Sequence, residues 1–400
     1  MPGLSNKLKH TYNQRLDLVQ PSSIRSFDQK VSSIDGLIKL TLGEPDLDTP
    51  EHIKAAAIKA IETNQSHYTA QPGTLALRQA IQSYLKEFHQ LNYDAQGEII
   101  ATVGATEAIY AIFETLINPG DKIIIPTPVF GLYEPIVTML GGQVVEIDTS
   151  LTGFKLTAEA LEAALVEHGE AVKAVLLCYP NNPTGVALID QEVQALADVI
   201  KKHAIFVLSD EIYSDLVYQA EHHSIAQLLP EQTIYISGVS KSYAMTGWRI
   251  GFVAGPREFI TQLTKVHAFM VTCPSSIDQA AAAEAFAHGS RDFLAMRETY
   301  RERRDYLAQA LADLDFEVVM PEGAFYLFVK IPAIFNQDDT DFALQLAYQA
   351  KVGVIPGSAF GKGGQGYVRL SYASSLDALH KAVEQIKQAL AQGKLVPGKE

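Results

Sequence analysis

Lys241 lies in a run of small and hydroxylated residues, Ser237-Gly238-Val239-Ser240-Lys241-Ser242, and Arg249 follows eight residues later, behind Gly247-Trp248. An amine in such a loop can condense with a carbonyl. A guanidinium fixed nearby suits an anion on the same ligand. The competing reading is a surface loop with an ordinary lysine and arginine, because short motifs also match by chance.

Four other stretches carry residue types that fit the same chemistry. In Asp210-Glu211-Ile212-Tyr213, a carboxylate can keep a pyridine nitrogen protonated and so strengthen the ring as an electron sink. Tyr213 can donate to a phenolic ring oxygen, which lowers that oxygen's pKa. A capping Asp with a packing Tyr would give the same letters. In Tyr179-Pro180-Asn181-Asn182-Pro183-Thr184-Gly185, two prolines and a glycine force a rigid turn that can aim the Asn182 amide. Pro183 is the candidate for a cis bond. Gly104-Ala105-Thr106 joins a strand to a helix, where free N–H groups bind phosphate, although a plain Thr cap is the alternative. Arg249 would add the countercharge and Ser240 a hydroxyl. Phe130 can stack on a flat ring or pack in the core. Arg369, in Gly366-Tyr367-Val368-Arg369-Leu370-Ser371, sits amid strand residues. An inward arginine there needs an anionic partner, either a substrate carboxylate or a neighbouring acid.

The elements that must position these residues alternate. Strand patterns at 99–103, 122–125, 143–147, 174–178, 205–209 and 233–236 are interleaved with helical patterns at 106–117, 156–167 and 191–202. Continuous apolar strands between amphipathic helices predict an α/β fold with a mainly parallel sheet covered on both faces. In such sheets the site lies beyond the carboxyl ends of the strands. Four strands run into Gly104-Ala105-Thr106, 179–185, 210–213 and 237–241, so independent stretches deliver chemistry at one edge. Upstream, residues 1–36 read as a polar arm and 40–42 as a short strand. Thr49-Pro50-Glu51 reads as a helix start capped by Thr49, and a second helix spans 74–90. Downstream, 276–313 reads as one long helical connector. Strands at 316–319, 324–329, 352–355 and 367–371 follow, with helices at 340–351 and 376–390, giving a smaller α+β domain. The expected division is an arm over 1–45, a large domain over 46–275, and connector plus small domain over 276–400.

The 400 residues are 47% hydrophobic and 20% charged, an ordinary globular balance. Thirty-two Lys and Arg against 46 Asp and Glu give a net charge of −14, which argues against a nucleic-acid partner. Two cysteines, Cys178 and Cys273, make no disulfide framework. No apolar run reaches membrane-spanning length, and 1–20 has no signal-peptide core, so a cytoplasmic location without membrane contact is expected. The scattered histidines suggest no metal site, with His222-His223 read as a solvated pair.

Taken together, Gly104-Ala105-Thr106, Asn182-Pro183-Thr184-Gly185, Asp210-x-x-Tyr213, Ser240-Lys241 with Arg249, and Arg369 resemble the class I/II aminotransferases that use pyridoxal 5'-phosphate (PLP). The resemblance runs from Gly43 to the final helix and implies the fold type I of PLP transferases. It implies Lys241 as the Schiff-base lysine and Asp210 as partner of the pyridine nitrogen. Asn182 and Tyr213 would meet the ring oxygen, and Phe130 would stack on the ring. Arg369 would take the α-carboxylate, and Gly43 would approach the substrate through its backbone. Tyr68 matches a tyrosine that reaches the phosphate from the neighbouring subunit, which implies a homodimer with shared sites. The chain is similar in particular to bacterial aromatic amino acid or N-acetyl-diaminopimelate aminotransferases, with an amino acid and a 2-oxo acid such as 2-oxoglutarate as substrates. Two positions depart from the pattern. Many members carry Ser where Gly238 stands, leaving Ser237 or Ser240 to contact phosphate. Some aspartate-using bacterial relatives carry Lys where Thr106 stands.

Three rivals remain open at this stage. A C–S β-lyase would use the same scaffold and cofactor. An NAD-dependent dehydrogenase is suggested by Gly361-Lys362-Gly363-Gly364-Gln365-Gly366, but that stretch precedes a strand instead of opening a helix. A PLP-binding transcription regulator conflicts with the acidic charge and lacks a helix-turn-helix pattern.

Overall fold

The structure, a computed structural model, describes residues 2–9, 11–218 and 221–395. Its centre is a seven-stranded sheet in the order Ile99–Thr102, Gly251–Ala254, Thr233–Gly238, Phe206–Asp210, Val172–Cys178, Lys122–Thr127, Gln143–Asp148. All neighbours pair in parallel except Gly251–Ala254, which is antiparallel to both of its partners. Three of these strands are buried along their whole length and three more at all but one residue, as a sheet covered on both faces requires. Register aligns the ends that matter. Cys178 sits opposite Asp210, Asp210 opposite Ile236, and Gly238 opposite Gly251. The loops after Cys178, Asp210 and Gly238 therefore emerge side by side.

A second, antiparallel sheet runs Ile355–Pro356, Tyr367–Ser371, Tyr326–Lys330, Glu317–Val319. Arg369 lies within it, opposite Phe328 on one side and Ile355 on the other. The N-terminal segment joins this half of the molecule through Ile38–Lys39, which pairs in parallel with Val352–Gly353.

Local sequence explains most boundaries. Helix Leu75–His89 starts where Thr74 accepts a hydrogen bond from the Leu77 N–H, and buries Leu77, Ile81, Tyr84 and Leu85 on one face. Four expectations need correction. Residues 23–31 are not bare arm but a helix, Ser23–Val31, capped by Ser22 and anchored by buried Phe27 and Val31. The short strand is Ile38–Lys39, not 40–42. Thr49 is not a cap. The helix Glu51–Glu62 begins after Pro50, and Thr49 Oγ1 donates instead to the Ala244 carbonyl (2.8 Å) and accepts from Trp248 Nε1 (3.2 Å). The long connector is two helices, Ser276–His288 and Ser290–Ala312, meeting at Gly289. A Cβ at Gly289 would lie 2.6 Å from the Tyr243 ring, so the chain turns where that ring packs.

Candidate active site

A cavity of about 630 Å³ opens at the carboxyl edge of the seven-stranded sheet, between it and the strand carrying Arg369. Lys241 stands in it on a single helical turn, Val239–Ser242, directly after the strand Thr233–Gly238. Its Nζ donates to the Gly43 carbonyl (2.5 Å) and has no acid within ion-pair distance among the described residues. Burial pushes its pKa down to about 8; Glu44 opposes the shift, while Arg369 and Arg249 reinforce it. An ammonium so placed deprotonates readily.

Asp210 ends its strand at 4% exposure, also without a cation in ion-pair contact. Burial raises its pKa to about 6, against hydrogen bonds from the Tyr133 hydroxyl (2.8 Å) and the Ile212 N–H (3.2 Å). Tyr213 is buried, and its hydroxyl pairs with that of Tyr326 (2.7 Å). Tyr326 explains why Gly43 must be glycine, since a Cβ there would strike its hydroxyl.

Arg369 is 1% exposed and stacked between the rings of Tyr326 and Phe360, at 4.4 and 4.9 Å from their centroids. It donates to Asn182 Oδ1 (2.8 Å) and to the Thr41 carbonyl (2.6 Å); its Nε has no partner among the described residues. No acid among the described residues pairs with it. A buried guanidinium held only by neutral acceptors is suited to an anionic ligand.

At the other wall, Gly104 (φ +71°) opens the helix Gly104–Leu116 after the strand Ile99–Thr102, and a Cβ there would strike the Arg249 guanidinium. Arg249 thus lies across that helix N-terminus beside Ala105 and Thr106, which face the cavity, a ready site for phosphate. Ser240 and Phe130 also line the cavity. Ser237 does not; its hydroxyl turns to the Glu211 carbonyl (3.4 Å). Tyr68 is 88% exposed and stands outside the cavity within one chain.

Gly238 is where backbones touch. A Cβ there would lie 2.8 Å from Gly251 Cα and from the Ile250 carbonyl oxygen. Gly238→Ser is therefore expected to destabilise the protein by about 1–3 kcal/mol through overpacking, without tightening phosphate binding. Urea unfolding checks this. Unchanged stability with tighter binding would contradict it.

Sequence reasoning missed Tyr133, Tyr326 and Cys178, which line the same cavity. The Cys178 thiol is pushed up to about 12 by burial, so it is inert packing beside Asp210. Two further readings are corrected. The cis bonds fall at Thr127-Pro128 and Tyr179-Pro180, not at Pro183. His222 is not solvated; its Nε2 sits 2.5 Å from buried Glu211, which also accepts from Ser209 and Ser224. That network fastens the residue next to Asp210.

An amine of lowered pKa, an unpaired buried carboxylate, an exposed cation on a helix N-terminus and a second cation that is buried define one class of site. Such a site would hold an aldehyde cofactor bearing a phosphate and a basic ring nitrogen, beside an anionic substrate. These residues fit PLP. The comparisons agree. Residues 35–386 match the family model described as aminotransferase class I and II. The "Probable N-acetyl-LL-diaminopimelate aminotransferase" of Bacillus subtilis is 46% identical over 380 residues, covering 95% of this chain and 96% of that one. "Aromatic-amino-acid aminotransferase 2" of Thermococcus litoralis is 36% identical, covering 96% and 99%. The Thermus thermophilus aspartate aminotransferase solved with maleate superposes with a TM-score of 0.89 at 36% identity, covering 97% and 100%. The chain belongs to the class I and II aminotransferases, a PLP-dependent family.

Proposed function

We propose that this chain moves the amino group of an L-amino acid, of the aromatic, aspartate or N-acetyl-diaminopimelate type, to a 2-oxo acid such as 2-oxoglutarate. The unpaired Lys241 amine facing Asp210 across one cavity is the observation that carries this reading. When bound, PLP supplies an electrophilic aldehyde and an electron sink for the charge released at the substrate Cα. Lys241 would hold it covalently and, as a neutral amine, would take and return a proton at the substrate Cα. Asp210 keeps the ring nitrogen protonated, aligned by Tyr133. Tyr213 and Asn182 would serve the ring oxygen, and Phe130 would cover the ring. Gly104, Ala105, Thr106, Ser240 and Arg249 hold the phosphate. Arg369 grips the substrate α-carboxylate next to the Gly43 backbone. Tyr68 completes the phosphate site of a partner copy in a cytoplasmic homodimer; its high exposure is consistent with burial on association. Among the described residues no helix is long and apolar enough to cross a membrane.

Incubation with a panel of donors and 2-oxoglutarate tests this, with formation of glutamate expected. Release of pyruvate and ammonia from a cysteine conjugate without any oxo-acid acceptor would instead identify a β-lyase. A pH dependence also follows. The nucleophile is the neutral amine, and Lys241 has a pKa of about 8, so the rate of PLP uptake by cofactor-free protein should rise with pH and reach half its plateau near 8. A midpoint near 10.5, the ordinary lysine value, would show that burial does not act on this amine.

A further inference from the structure

Lys241 is carried by one helical turn, Val239–Ser242, and among the described residues its Nζ makes one hydrogen bond, to the Gly43 carbonyl. A single turn does not hold itself, because nucleating a helix fixes several residues for one bond. A tether for this turn lies outside the cavity. Asp215 sits in the short turn Ser214–Leu216, on the same loop as Asp210 and Tyr213. Its carboxylate is hydrogen-bonded by the side chain of Ser242, the residue after Lys241. The Tyr84 hydroxyl donates to Asp215 Oδ2 (2.7 Å), and His89 Nε2 lies 3.3 Å from Oδ1 and 2.9 Å from the Tyr84 oxygen. The side chains of His89 and Asp215 are each 4% exposed. Burial alone would raise the pKa of Asp215, but His89, Ser242 and Tyr84 outweigh it and hold the carboxyl below its usual value. The group is therefore charged, and hydrogen bonds to a charged acceptor are the stronger kind.

We infer that Asp215 is a positioning residue that straps the Lys241 turn to the Asp210–Tyr213 loop and so sets the spacing between the amine and the carboxylate of the site. This deepens the proposed reaction and rests on it. Three segments meet at this one carboxylate. They are the loop that carries Asp210 and Tyr213, the turn that carries Lys241, and the helix Leu75–His89, which brings Tyr84 and His89. The end of that helix is fixed in turn, because Gln227 Nε2 donates to the His89 carbonyl (2.8 Å). The ladder between the strands Phe206–Asp210 and Thr233–Gly238 ends where Asp210 meets Ile236. Beyond that point the bond from Ser242 to Asp215 joins the two segments from behind, on the side away from the cavity lining.

The test uses Ser242→Ala, which cuts the strap but leaves Asp215 with His89 and Tyr84, so that no buried charge is stranded. In the holoenzyme kcat should fall about ten-fold, because a small misplacement of a reacting group costs that much or more. The KM for 2-oxoglutarate and the calorimetric binding of its unreactive analogue glutarate should each change less than about two-fold, since Arg369 is untouched. Cofactor-free protein should take up PLP about ten-fold more slowly. Ser242→Thr keeps the hydroxyl and should recover most of both losses. Asp215→Asn gives up the charge and should lose at least as much as Ser242→Ala. The double variant should be no slower than Asp215→Asn alone, because both changes act through one bond. Unchanged kcat and uptake in Ser242→Ala would overturn the inference, as would multiplied losses in the double variant or a parallel loss of glutarate binding. If Asp215→Asn does not fold, Ser242→Ala and Ser242→Thr decide between them. If the parent takes up PLP but transfers no amino group, the proposed reaction fails instead, and the uptake rates still judge Asp215.

Discussion

Lys241→Ala is expected to lower turnover by at least about 10⁴-fold and to abolish the visible absorbance of lysine-bound cofactor. Both effects come from one atom. Among the described residues Nζ is the sole amine lining the cavity, and its pKa of about 8 leaves an appreciable neutral fraction at physiological pH. No other described lining side chain can replace it, because Arg25, Arg249 and Arg369 do not deprotonate. The variant should still fold. Nζ makes one hydrogen bond, to the Gly43 carbonyl, and losing a half-buried cation without an acid partner removes a desolvation cost. Thermal unfolding of the cofactor-free variant should therefore match or exceed the parent. Undiminished turnover in this variant would refute the role of Lys241, whereas loss of turnover with loss of folding would not support it.

Asp210→Asn should lower kcat/KM by about 10²–10³-fold, with the fold intact. The substitution keeps the shape and an oxygen for the Tyr133 hydroxyl, but removes the charge proposed to meet the ring nitrogen. Burial already raises Asp210 to about 6 in the absence of a cation, so the carboxylate is costly to hold ionised unless something positive meets it. A protonated pyridine nitrogen is such a partner. Asn would leave that nitrogen neutral, and a neutral ring is a poorer acceptor of electrons from the substrate Cα. The effect should appear in kcat more than in binding of a substrate analogue. Steady-state kinetics paired with calorimetry of glutarate separate the two. Equal weakening of both would mean that Asp210 serves structure alone.

The strand-edge loops were legible in the sequence because each carries its own local mark. Gly104 begins a helix, the prolines at 180 and 183 stiffen a turn, and small residues surround Lys241. Parallel topology then brings them together, since parallel neighbours end on the same edge. The pairing of Asn182 with Arg369, 187 residues apart, has no local mark, because the two read as separate contacts to the ring oxygen and to the α-carboxylate. What stayed hidden depends on burial and direction. Tyr133 and Tyr326 carry the spacing of core aromatics, and nothing in their neighbours says that one hydroxyl meets Asp210 and the other Tyr213. Arg25 sat in a stretch whose polarity reads as arm, although Ser22 followed by Phe27 and Val31 does carry the spacing of a short amphipathic helix. The burial of His222 leaves no mark in the sequence, because its ion partner, Glu211, lies eleven residues back on another element. The helix Arg257–Val271 left a readable signal that was passed over. Pro256 precedes it, Glu258 lies in its first turn, and Phe259, Ile260, Leu263 and His267 bury one face. The antiparallel sense of Gly251–Ala254 had no signal, because four apolar residues look alike in either direction.

Reduction of the holoenzyme with borohydride, followed by peptide mapping, tests the central claim most directly. The account predicts a single peptide carrying a reduced pyridoxyl phosphate on Lys241. The cofactor fixed to any other lysine, or found on none, would contradict it.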